Sequence, residues 1–203
     1  MLKSTHIKIV AIILVSVLAS ATAVVAQEKF RETYEMFAVA MGTSNPPIIP
    51  PGTNMTLQIN ITRWTTDEER EALFAELIEN GQQGLYQALQ KQEETGWARS
   101  RGTSAMRTFP REVIRYARQF DLGEGKRRIV LALDRPISFW EAVNQPRWRD
   151  YDITLVVMDV DAKGEGEGQL AMGVRLQLNM ETKQLVIENF GSEPVRLNRI
   201  RKR

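Results

Sequence analysis

The stretch MTLQINITRWTTDEER, residues 55–70, holds both structural regimes of this chain side by side. Met55, Leu57, Ile59 and Ile61 alternate with Thr56, Gln58, Asn60 and Thr62, the period-two pattern of a half-buried strand. The pattern then stops. Thr66-Asp67-Glu68-Glu69 is a capping box, in which the Thr66 hydroxyl serves the Glu69 amide and the Glu69 carboxylate reaches back, so a helix opens there. Leu73 and Leu77, with Phe74 and Ile78, give it an apolar side, and Asn80-Gly81 reads as its end. Leu85 and Leu89, four apart, mark a second short helix before Gly96. Two short amphipathic helices between strands predict an αα-hairpin, inserted over about 66–91 and covering one face or end of a sheet.

Outward from that stretch, strands dominate. Residues 30–41 are apolar enough for one, and the following loop to residue 54 is kept extended by Pro46, Pro47, Pro50 and Pro51. Residues 113–120 and 128–133 read as a hairpin around DLGEGK. Residues 151–160 and 169–180 form a second pair around DAKGEGEG, and 185–190 and 195–200 finish the chain. The expected fold class is α+β: a mostly antiparallel β meander, either a sandwich or an open barrel, with the inserted αα-hairpin.

The first 26 residues have the organisation of a signal peptide. Lys3 and Lys8 precede an apolar run over 9–19, and Val24-Val25-Ala26 offers small residues for cleavage near Ala26, with Ala23 as the alternative cut. An uncleaved anchor is the competing reading, since residues 7–26 are nearly long enough to span a bilayer. Cleavage implies export, to the periplasm or the medium, and one domain over 27–203. The leader carries the only His, two Lys and no acid, so the 27 basic residues of the whole chain fall to 25, matching its 25 acidic ones. A pI near 9.0 is therefore no signal for nucleic acid, which is not an expected partner. There is no Cys. Without His or Cys, the exported chain is denied Ser-His-Asp triads, thiolate chemistry, disulfides and the usual zinc sites.

Several motifs resolve into plainer features. GEGEG, 164–168, precedes strand-like residues and no helix, so it is a hairpin turn and not a phosphate cradle. Asp159-Val160-Asp161-Ala162-Lys163-Gly164 begins like a calcium loop, but Lys163 and Leu170 occupy positions that should carry oxygen ligands. A looser set, Asp159, Asp161 and Glu165, is the alternative, but no metal or other cofactor is expected. Asn54 and Asn60 head glycosylation sequons that matter only in a eukaryotic secretory pathway. The basic ending RLNRIRKR is either a solvated end beyond the last strand or a contact for anionic lipid.

DRPISFWEAVNQPRWRDYD, residues 134–152, is the candidate site. Asp134 and Glu141 lie near Trp140, Trp148, Arg147 and Arg149, a mixture suited to ligand contact. As a carboxylate pair beside aromatic platforms, Asp134 and Glu141 would make a glycosidase-like hydrolase. As architecture, Asp134 caps a turn opened by Pro136, Phe139 and Trp140 plug the end of the core, and Arg side chains neutralise the acids.

RRIVLALDRPISFWEA (127–142), the GEGEG hairpin, IENFGSEPVRL (187–197), MFAVAMGTS (36–44) and WTTDEER (64–70) together resemble a group of exported bacterial proteins with no assigned activity. The resemblance implies export and a single domain and carries over no functional residue. The leading expectation is a non-enzymatic binding domain for a small apolar ligand, an envelope component or a protein. Its alternatives are the carboxylate hydrolase and a purely structural envelope protein. Membrane contact is expected only through the leader or the basic C-terminal tail.

Overall fold

The computed structural model describes residues 31–40, 52, 54–101, 111–134, 153–171, 174–179, 184–190 and 195–203. In chain order these form β1 (Glu32–Val39), β2 (Asn54–Ile61), α1 (Asp67–Lys91), β3 (Gly96–Arg101), β4 (Glu112–Gly123) and β5 (Lys126–Leu133). Then follow β6 (Thr154–Val160), β7 (Gly166–Ala171), β8 (Val174–Asn179), β9 (Gln184–Phe190) and β10 (Val195–Lys202). Strands β1 to β7 and β10 make a closed antiparallel barrel in simple up-and-down order, with β10 returning to pair with β1. Strands β8 and β9 form a separate two-stranded sheet inserted before β10.

Alternation decides what faces inward. The barrel interior takes Tyr34, Met36 and Ala38 from β1, Met55, Leu57, Ile59 and Ile61 from β2, and Ile129, Leu131 and Leu133 from β5. It takes Val156, Met158 and Val160 from β6, with further members from each of the other strands. Eight strands enclose a space that side chains can fill, and here they fill it. Bulges adjust the parity where strict alternation would break the lining. Leu197 and Ile200 both point in because the register of β10 shifts between them, at Arg199, whose φ is 53°. Gly168 is needed where β6 and β7 approach: a Cβ there would lie 2.3 Å from the Val157 carbonyl oxygen.

One rim of the barrel is closed by charge. Glu32 is only 7% exposed and accepts hydrogen bonds from Tyr34 Oη at 2.7 Å, Arg127 Nη2 at 2.8 Å and Lys202 Nζ at 2.9 Å. Burial alone would raise the Glu32 carboxyl, but these three donors outweigh it and its pKa falls below the ordinary value. Burial, reinforced by the Glu32 hydrogen bond and charge, pushes the Tyr34 phenol far up. The cluster ties the first strand to β5 and to the last strand.

The expected α+β chain with an inserted αα-hairpin is corrected to a β-barrel carrying one helical element. The capping box forms as the sequence predicts: Glu69 N donates to Thr66 Oγ1 at 3.2 Å and Thr66 N to Glu69 Oε2 at 2.8 Å. Helical geometry breaks at Gly81, where the sequence places a helix end, but no hairpin follows. That residue alone leaves helical geometry (φ 65°, ψ −158°), and helix continues directly to Lys91. The element is two helical segments kinked at one glycine, without a loop between them. Its buried leucines, Leu73, Leu77, Leu85 and Leu89, all serve one cluster with Ala132, Ile153, Ala171, Val174 and Leu176, which is why two halves read as separate helices remain one packing element.

The sandwich and the open barrel both give way to closure, and residues 169–180, expected as one strand, belong to two sheets as β7 and β8. The basic ending is not a tail beyond the sheet. It is β10 itself, with Lys202 on Glu32, Arg203 on Glu35 at 2.8 Å and Arg199 stacked 6.0 Å from the Phe37 ring centroid. Residues 1–26, expected as a leader, and Pro46, Pro47, Pro50 and Pro51 lie outside the described residues.

Candidate functional site

Strands β5 and β6 differ from β2 in being apolar on both faces. Behind the inward set, Val130 and Ala132 of β5 and Leu155 and Val157 of β6 point away from the barrel axis, in pairs set by Val130↔Val157 and Ala132↔Leu155. On β4, Tyr116 stands opposite Ala132, and Phe120 opposite Arg128. Strands apolar on both faces require cover on both. Helix α1 supplies part of it, since Leu73, Phe74, Leu85 and Leu89 face this outer surface with Ile153 and Leu176.

Among the described residues the cover is incomplete. Between α1 and the outer face of β4–β6 lies a groove of about 540 Å³, lined by those residues with Leu122, Arg70 and Arg128. Its volume falls in the range of small-molecule sites. Burial falls along it: Ile153 and Ala132 are buried, Val130 and Val157 half-buried, while Phe120 and Leu122 at the β4–β5 hairpin are 42% and 46% exposed. Those two exposed apolar side chains mark the open end.

Local sequence holds the frame in place. Thr65 docks on the β4 bulge, with its amide on the Ala117 carbonyl at 2.8 Å and its Oγ1 receiving the Ala117 amide at 2.9 Å. Arg115 Nη1 donates to the Gln92 carbonyl at 3.0 Å, so both ends of the helical element return to the same strand. On the far side, Gln82 Nε2 donates to Val174 O and Leu176 N donates to Gln82 Oε1, each at 3.0 Å. The Gln82 amide thus takes the place of a neighbouring strand along β8 and satisfies backbone groups there.

The charges on the lining are unevenly partnered. Arg128 is held bidentately by Asp159 at 2.7 and 2.8 Å, and the Arg128 hydrogen bonds draw the Asp159 carboxyl down. Arg118 binds Asp67 at 2.9 Å. Arg70 lies 3.9 Å from the same Asp67 oxygen, and its buried Nε makes no hydrogen bond. Burial pushes the Tyr116 phenol upward, so it remains a neutral hydroxyl near Arg70 and Arg118.

Of the sequence-derived candidates, the structure places Asp134 alone. It sits at the end of β5, 8% exposed, accepting a hydrogen bond from Arg115 Nε at 3.2 Å. Glu141, Trp140, Trp148, Arg147 and Arg149 lie outside the described residues. Asp159, Asp161 and Glu165 do not converge: Asp159 is engaged by Arg128, and Asp161 Oδ1 accepts the amides of Lys163 and Glu165 within its own turn. Among the described residues no cluster of acids has the arrangement of a metal site. Asn60, head of the second sequon, is buried, with its amide on Thr33 Oγ1 at 2.7 Å. Sequence reasoning missed the groove, although its signal was present: RIVLAL and ITLVVM are continuous apolar runs where MTLQINI alternates.

These features define a class by geometry: a filled eight-stranded up-and-down barrel with an apolar groove on its outer wall. The chain matches no family model, no curated protein and no solved structure. No helix among the described residues is long and apolar enough to cross a membrane.

Proposed function

We propose that this protein is an exported, non-enzymatic binding domain that holds a small apolar molecule on the outside of its barrel, between α1 and strands β4–β6. One observation carries the reading: among the described residues an apolar groove of about 540 Å³ stands open beside a barrel whose interior is lined by one buried apolar cluster. A wall that needed only cover would be stabilised by closing that space, because every unfilled contact forfeits dispersion and burial. Export is supported by the leader-like first 26 residues.

The test is titration of the purified protein with a neutral naphthylamine fluorophore. Saturable enhancement is expected, displaced by a long-chain alcohol and lost in Val157→Trp, which fills the groove. Absence of saturation, or binding that survives Val157→Trp, sinks the proposal. N-terminal sequencing of envelope and medium fractions tests export: an intact Met1 in both rules out cleavage near Ala26.

A further inference from the structure

We infer that the groove takes a single-chain amphiphile with an anionic head, and that Arg70 receives the head. The inference rests on the groove being a ligand site and adds the chemical class of its ligand. The argument is one of charge complementarity. Among the described residues, the ion pairs of Arg70, Arg118 and Arg128 around this groove are with Asp67 and Asp159, three guanidiniums against two carboxylates. Asp159 is consumed by a bidentate bond to Arg128, and Asp67 is close-bonded to Arg118. Arg70 shares Asp67 with Arg118 at the longer distance of 3.9 Å, and its Nε is a buried donor with no hydrogen-bond acceptor.

Its orientation is fixed. The Arg70 guanidinium lies 5.6 Å from the Phe74 ring centroid, and Phe74 is itself a wall of the groove. Stacking on an aromatic face leaves the planar edge of the guanidinium free to fork onto a carboxylate or phosphate. The Tyr116 hydroxyl, kept protonated by burial, supplies a further donor nearby. Beyond these groups the floor is apolar: Val130, Val157 and Ala132 lead toward buried Ile153. A ligand with one charged end and one hydrocarbon chain satisfies both regions. A ligand without an anionic head would leave Arg70 unpaired, and so binds less tightly than one that has it.

The experiment compares dodecanoate, dodecyl phosphate, dodecanol and dodecylamine by calorimetric titration of the intact protein and of Arg70→Met. All share one chain and differ in the head. Either anionic ligand is expected to bind at least about tenfold tighter than dodecanol, the equivalent of one charge-assisted hydrogen bond, with the amine weakest. Arg70→Met should erase that preference, so that neither anion binds tighter than dodecanol to the variant. The tighter of the two anions names the head as carboxylate or phosphate. Equal binding of anion and alcohol by the unaltered protein overturns the inference, as does a preference that survives Arg70→Met, and both leave the groove reading intact. Failure of all four ligands to bind overturns both. The ranking on the unaltered protein decides the matter even if Arg70→Met does not fold.

Discussion

The barrel interior and the outer groove are built from the same kinds of residue and behave as opposites. Inside, Leu57, Ile59, Leu131 and Met158 are fully buried against one another. Outside, Val130, Val157, Phe120 and Leu122 are apolar, partly exposed and incompletely covered. Apolar composition alone therefore does not say whether a surface is core or site. The difference lies in whether neighbours fill the space, and so in whether a substitution is felt as stability or as affinity.

The comparison can be tested first where its effect is largest. Leu131→Ala empties part of a filled interior and should cost about 2–5 kcal/mol in urea unfolding. A loss below about 1 kcal/mol would mean the interior can collapse onto the gap, and the contrast would fail.

Next comes the charged rim. Glu32→Gln removes the charge and one of the two acceptor oxygens on which Lys202, Arg127 and Tyr34 converge, and should cost roughly 2 kcal/mol. The same group gives a pH dependence of known sign. Its folded pKa lies below its unfolded value, so its contribution is complete above the ordinary carboxylate range and disappears as pH falls through the folded value. Unfolding measured from neutral pH into acid should show a loss in the unaltered protein that is smaller in Glu32→Gln.

Gln82→Ala removes the side-chain amide from β8 and should cost about 1 kcal/mol, with faster amide exchange at Leu176 as the local readout. The smallest stability effect is the most diagnostic. Ala132→Leu adds volume to the groove floor and should change stability by less than about 1 kcal/mol, in either direction, while weakening ligand binding. If it destabilises as strongly as an interior substitution, the groove is core after all.

Local pattern made parts of this legible. The inward set of β2 and the Thr66–Glu69 cap are properties of consecutive residues, and both formed as read. Barrel closure was not legible, because the partner of β1 is β10 and no local pattern names a partner so far along the chain. Gly81 does interrupt the helix, as glycine often does. Whether helix resumes beyond it depends on Leu85 and Leu89 finding the same cluster as Leu73 and Leu77, which is tertiary information. The division of residues 169–180 between two sheets escaped for the same reason. The groove needed both facts at once: an outer face apolar by sequence, and a helix positioned so as to cover only part of it.

Closure by β10 also has a kinetic consequence. Glu32 and Lys202 are 170 positions apart, and Arg203 N reaches Thr33 O at 2.8 Å. Most strand pairs can form between sequence neighbours, but the last seam requires loop closure across nearly the whole chain. Such high-contact-order steps are slow. A chain still being synthesised has an open sheet with β1 and β7 as bare edges until β10 arrives, so the ring becomes available only once β10 has emerged.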